Sequence, residues 1–220
     1  MKQAIILAAL FSSVIFTSCR KHTLRGEGSV ITVTRDLASF EEVETDGDLD
    51  IVVYPSNVNQ AIITGYENLV PVFETDIRKG KLRLKYPDKY FNIRRNNIKV
   101  EVYTTSMNSF SINGSGKADI QAGFPLRDMD LEINGSGDIN VADNQFITMH
   151  AKVNGSGNIN AMNCKVDNAF LRISGSGNID LTVLKKLDVD ISGSGDVNYW
   201  GSPETVETDI SGSGKVRKKG

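Results

Sequence analysis

Leu131-Glu132-Ile133-Asn134-Gly135-Ser136-Gly137-Asp138-Ile139-Asn140 is the stretch that decides the fold. Its Gly-Ser-Gly triplet occurs six times, with the first glycine at 114, 135, 155, 175, 193 and 212. These triplets hold 12 of the 20 glycines, so glycine here marks a spacing of 18 to 21 residues rather than general looseness. The flanks repeat as well. A β-branched and a small polar residue precede each triplet, as in Ile112-Asn113, Val153-Asn154 and Ile191-Ser192. A polar-apolar-polar run follows, as in Asn158-Ile159-Asn160 and Asp196-Val197-Asn198. A fixed triplet at a period near 20 is the signature of a solenoid in which each repeat makes one coil.

Within a unit the alternation has period 2. Leu131, Ile133 and Ile139 share one parity; Glu132, Asn134, Asp138 and Asn140 share the other. That is strand patterning. Glycine pairs and β-branched residues at this period disfavour a helical solenoid. The prediction is an all-β chain: a β-solenoid of about 20-residue coils, two or three short strands each, with an atypical N-terminal β portion. The triplet either stays extended, with its glycines inward and serine outward, or turns a corner at positive φ. Stacking at roughly 4.8 Å then makes columns, and Ser115, Ser136, Ser156, Ser176, Ser194 and Ser213 form a ladder face about 24 Å long. The neighbouring columns mix Asn with Asp, which dilutes repulsion and permits side-chain ladders. The basic end, Lys215-Val216-Arg217-Lys218-Lys219, places charge on a terminal edge.

The composition agrees with a globular chain and removes several functions. Of 220 residues, 40% are hydrophobic and 24% charged, with a net charge of −2. That balance excludes a whole-chain affinity for nucleic acid. Two histidines and two cysteines do not make the usual zinc or iron–sulfur sites, and neither a metal nor another cofactor is expected.

The N-terminus reads as an address. Lys2, the apolar run Ala4 to Phe16 and the small residues Thr17-Ser18 form a signal peptide over 1–18, too short for a permanent membrane span. Cys19 directly after Ser18 resembles a bacterial lipobox, which implies cleavage before Cys19 and lipidation of it. Residues 19–27 are then a lipid-anchored tether, and acyl chains contribute about 0.8 kcal/mol per buried methylene to membrane retention. An ordinary signal peptide is the alternative. With Cys19 lipidated, Cys164 has no disulfide partner and reads as a buried structural thiol.

The repeat units over 112–119 through 210–217, with Phe40 to Asp50 as a degenerate first coil, resemble the autotransporter adhesin head GIN-domain family of Bacteroidetes-type lipoproteins. The resemblance implies a right-handed parallel β-helix and an adhesin-like role without a defined activity. The break in the repeat rhythm before the first Gly-Ser-Gly unit divides the mature chain into an N-terminal β portion with first coils, 28–110, and the repeat solenoid, 111–220. In the former, Asp50 to Tyr54, Gln60 to Tyr66 and Ile98 to Thr104 read as strands. Leu69 to Ile77 and Lys81 to Tyr86 read as a hairpin around Arg78-Lys79-Gly80.

Candidate chemistry concentrates in residues 77–100, where nine basic residues face one aspartate. Alternation of Lys81, Arg83 and Lys85 with Leu82 and Leu84 reads as a solvated strand face. The sharper candidate is a loop containing Lys89, Tyr90, Phe91, Arg94 and Arg95, suited to an anionic lipid headgroup, acidic glycan or phosphate. No catalytic residue is identified: Gly-Ser-Gly is not a nucleophile elbow, and His150 reads as a packing or surface residue. The reading is a noncatalytic envelope lipoprotein, adhesin-like or binding glycan or protein, in or on the outer membrane. A polysaccharide-active β-helix enzyme and a purely structural envelope protein are the alternatives. Leaflet and oligomeric state stay open.

Overall fold

A computed structural model describes residues 22–125 and 127–220. The strands in chain order begin with β1 (His22–Arg25), β2 (Val30–Asp36), β3 (Glu42–Gly47), β4 (Asp50–Pro55) and β5 (Gln60–Tyr66). Next come β6 (Glu74–Arg78), β7 (Lys81–Lys85), β8 (Tyr90–Arg94), β9 (Lys99–Thr104), β10 (Ser109–Gly114) and β11 (Lys117–Ile120). The repeat region continues with β12 (Arg127–Gly135), β13 (Asp138–Val141), β14 (Gln145–Gly155), β15 (Asn158–Gly175) and β16 (Asn178–Gly193). The chain ends with β17 (Asp196–Trp200), β18 (Thr205–Gly212) and β19 (Lys215–Lys218).

Each coil contributes one strand to each of two parallel sheets, with a Gly-Ser-Gly corner between them. Sheet A runs β7, β3, β10, β12, β14, then the second halves of β15 and β16, and β18. Sheet B runs β9, β4, β11, β13, then the first halves of β15 and β16, β17 and β19. The solenoid predicted from the triplets is therefore the observed architecture, with coils of about 20 residues.

The triplet turns the corner. Its first glycine adopts positive φ (+142° at Gly135, +133° at Gly155), while all six serines face solvent. The carbonyl of each first glycine accepts the serine N–H of the next coil, as in Ser156 N to Gly135 O at 2.9 Å. The second glycine is demanded by the coil below: a Cβ on Gly137 would stand 2.6 Å from the Gly116 carbonyl oxygen. In the first coil Gly47-Asp48-Leu49 takes the triplet's place, in register with Gly114, and Leu49 is buried where later coils need glycine. No triplet lies beneath it, so the site has room for a side chain.

Inward columns make the core. Leu84, Thr45, Ile112, Ile133, Val153, Ile173 and Ile191 lie one over the next, all fully or almost fully buried. Burial of branched side chains at roughly 1.5–3 kcal/mol each dominates the stability of such a stack.

The N-terminal end is closed by antiparallel strands, β6 on β7 in sheet A and β5 with β2 beyond β9 in sheet B. Arg35 on β2 ties them together, donating to the carbonyls of Phe73 at 2.7 Å and Val70 at 2.8 Å. The hairpin expected from Leu69 onward is shorter. Pro71 starts a 3-10 turn over Val70–Val72, and only Glu74–Arg78 pairs with β7. The expected loop at 89–95 is also corrected. Tyr90–Arg94 is a strand that pairs in parallel with His22–Arg25, so part of the stretch read as a tether is docked on the domain.

Candidate functional site

The predicted basic segment separates into two groups. Lys81 is 3.2 Å from Glu42 and 3.3 Å from Glu44, Arg83 is 3.2 Å from Glu44, and Lys85 is 2.7 Å from Asp88. Arg78 pairs with Asp76. These four belong to a solvated strand face whose charge is already balanced, and their stability contributions are small. The second group lies at β8. Lys89 stands over the Tyr90 ring, 5.1 Å from its centroid. Phe91 is 60% exposed, and Arg94 is exposed. Arg95, at φ +53°, turns elsewhere: its guanidinium covers the Tyr66 ring and donates to the Tyr66 hydroxyl at 2.9 Å.

The β1–β8 ribbon adds a residue that sequence spacing did not reveal. Arg25 is the register partner of Arg94, and Leu24 that of Ile93. Leu24 and Ile93 pack on the core and hold the ribbon down. Two cations side by side on parallel strands repel. Among the described residues the pair's one ion pair within 4 Å is Arg25 with Glu27, at 3.9 Å. A cleft of about 340 Å³ opens beside the ribbon, between it and the Asp46–Leu49 corner. Its floor is fixed by Asn96, which accepts from the Tyr86 hydroxyl at 2.9 Å and donates to the Asp48 carbonyl at 2.7 Å. Burial pushes the Tyr86 phenol well above its usual range, so it stays a neutral donor.

The structure stacks the predicted ladder serines along the solenoid. Ser115, Ser136, Ser156, Ser176, Ser194 and Ser213 line one exposed corner. Flanking it, Asn113 donates to Asp46 at 2.8 Å, Asn134 to Asn113 at 3.0 Å, and Asn154 to Asn134 at 2.7 Å. On the other side Asn158 donates to Asp138 at 2.8 Å and Asn178 to Asn158 at 2.9 Å. The amides consume one another's hydrogen bonds along the stack, which makes these columns architectural.

A shallow depression of about 600 Å³ lies on the outer face of sheet A. His150 stacks there on Phe170, with ring centroids 5.1 Å apart at 16°. Around the pair, Glu132 is held by Lys152 at 2.9 Å, Asp190 by Arg172 at 3.1 Å, and Asp188 lies 3.6 Å from Lys186. Carboxylates engaged in ion pairs are poor candidates for a general acid and base. Cys164 is buried, and its thiol donates to the Ala142 carbonyl at 3.2 Å. Burial raises its pKa to about 11, which suits a structural thiol and not a nucleophile. Among the described residues no group of three or more His, Cys, Asp or Glu is placed to hold a metal. No described helix is long and apolar enough to cross a membrane. Cys19 and the leader lie outside the described residues.

A family model described as "Putative auto-transporter adhesin, head GIN domain" matches residues 39–203, from the degenerate first coil to just past β17. The chain belongs to this family. Similar solved structures share the fold. One, titled a "putative adhesin", from Bacteroides fragilis, superimposes with a TM-score of 0.73 at 22% identity, covering 89% of this chain and 100% of that one. A "putative lipid binding protein" from Parabacteroides distasonis gives 0.55 at 21%, covering 90% and 100%. An adhesin-titled structure from Parabacteroides merdae gives 0.52 at 19%, covering 90% and 99%. No functionally curated protein matches. These structural neighbours are described by adhesion or lipid binding and not by catalysis, and the family description points to the cell envelope or surface.

Proposed function

We propose that this GIN-domain chain is a noncatalytic binding module of the cell envelope. It is anchored through Cys19 to the outer membrane, on the periplasmic or the outer face, and seated on anionic headgroups through its β1–β8 ribbon. The observation that carries this is the Arg25–Arg94 register pair on the ribbon that also carries the exposed Phe91. Cys19 precedes His22 by three residues, a reach of at most about 11 Å. A lipid on Cys19 therefore brings the ribbon to the bilayer surface, where anionic headgroups relieve the arginine repulsion. Each cation near an anionic membrane contributes about 1 kcal/mol. The lipid-binding description of the Parabacteroides distasonis structure is consistent with this reading.

The test is cosedimentation of residues 20–220, which lack the lipid, with vesicles of mixed anionic and neutral lipid. Arg25→Ser and Arg94→Ser should each weaken binding severalfold, and added salt should weaken it further. Arg95→Ser, whose side chain serves Tyr66, should change binding least. Equal binding to purely neutral vesicles, or no effect of Arg25 and Arg94, contradicts the seat. Retention of a full-length Cys19→Ser chain in the membrane fraction contradicts the anchor.

A second reading concerns the distal ligand. The stacked His150–Phe170 pair in the sheet A depression favours a glycan, whose C–H groups pack against the exposed His150 and the outer edge of Phe170, with Lys186 over the Phe170 ring and ionic groups flanking the pair. Loss of glycan-array signal in Phe170→Ser is the expected result, and product formation on any polysaccharide would favour an enzyme instead.

A further inference from the structure

The two ends of the solenoid are unlike. At the N-terminal end β2, β5 and β6 fold across the coils, and Val70, Phe73 and Ile63 are fully covered. At the C-terminal end every residue of β18 is exposed, including Val206 at 42% and Ile210 at 40%. Their counterparts one coil earlier, Leu187 and Ile191, are both 0% exposed. The end of the core is therefore open among the described residues, where β18 pairs only with β16 and β19 only with β17, leaving their outer backbone edges free.

The charges on those two edges are opposite. β18 carries Asp209 and Glu207, the latter 3.1 Å from Lys186 of the coil before; β19 and the residue after it carry Lys215, Lys218, Lys219 and Arg217, the last 2.8 Å from Asp196. Like-charged edges would keep copies apart, but this pair is self-complementary. A two-fold axis through Ser213, bisecting the corner between the strands, lays β18 of one copy against β19 of the other, antiparallel. The register that follows sets Val216 opposite Ile210, Arg217 opposite Asp209, and Lys219 opposite Glu207. Val216 meets Ile210 on the inward side, where Lys218 faces Thr208, and acid meets base on the outward side. The operation applies twice, so both edges of both copies are closed in one isologous contact.

We infer that the chain pairs tail to tail with a second copy of itself through the β18 and β19 edges. The β1–β8 ribbon lies at the opposite end of the stack, so the two N-termini of such a pair point away from each other. With Cys19 lipidated, which rests on the anchor reading above, the pair joins two membranes instead of lying on one.

Sedimentation of residues 20–220, which contain every described strand, tests the pairing. The mass should double across a concentration series and fall back with salt. Lys215→Glu/Arg217→Glu/Lys219→Glu makes both edges acidic; Glu207→Lys/Asp209→Lys makes both basic. Each variant alone should stay monomeric while keeping its β circular dichroism. An equimolar mixture should recover the doubled mass, because each acidic edge then finds a basic one. A monomer at every concentration, or a dimer that survives both charge reversals, overturns the inference. For the membrane step, the full lipidated chain should cluster vesicles. Cys19→Ser should dimerise without clustering, so loss of the anchor and loss of pairing give different results.

Discussion

The α-carbon of Gly155 lies over the carbonyl oxygen of Gly135, which also accepts the Ser156 N–H at 2.9 Å; a methyl group at 155 would overlap that oxygen. The corner of every coil is thus built on the corner below it. Gly155→Ala combines a strained φ of +133° with a damaged inter-coil hydrogen bond. The expected cost is about 2–4 kcal/mol. Gly80 has φ +78° in the β6–β7 hairpin but open space around it, so Gly80→Ala should cost about 1 kcal/mol. Thermal melting of both variants checks the contrast, and equal shifts would contradict the stacking argument.

Thr45 occupies a core column between Leu84 and Ile112, and its hydroxyl has no hydrogen-bond partner. Valine has the same shape without the unsatisfied group. Thr45→Val should stabilise the fold by about 1 kcal/mol, visible as a higher denaturation midpoint. A lower midpoint would mean that the hydroxyl is satisfied.

Cys164 supplies a pH signature. An unfolded thiol titrates near 8.5, whereas burial raises this one to about 11. The folded state therefore binds the proton more tightly. Its contribution to stability is complete below pH 8.5 and is lost as the pH rises toward 11. The stability gap between the native chain and Cys164→Ala should narrow across that window. A maleimide should label Cys164 only after unfolding; rapid labelling of the native protein at pH 7.5 would refute its burial.

The repeat region was legible because its chemistry is forced by stacking. The glycine spacing set the register of six coils, and the Asn and Asp columns fell into hydrogen-bonded rows, Asn134 on Asn113 among them. The N-terminal end was less legible, since its strands answer to distant partners. Tyr90 to Arg94 shows no clear alternation, and its pairing with His22 to Arg25 joins segments more than 60 residues apart. The apolar run at Leu69 to Phe73 looked like a strand, yet Pro71 and the need to cover the coil end make it a turn. Arg95 could not be separated from Arg94 by sequence, because only the position of Tyr66 tells them apart.

The central claim is that equivalent positions of successive coils stand side by side. Pyrene maleimide attached to Ser136→Cys/Ser156→Cys in residues 20–220 tests it most directly, since those corners are one strand spacing apart, about 4.8 Å. Strong excimer emission from this pair, and none from Ser136→Cys/Ser213→Cys four coils apart, is the predicted result. Absence of excimer from the 136/156 pair in a folded sample would contradict the in-register solenoid.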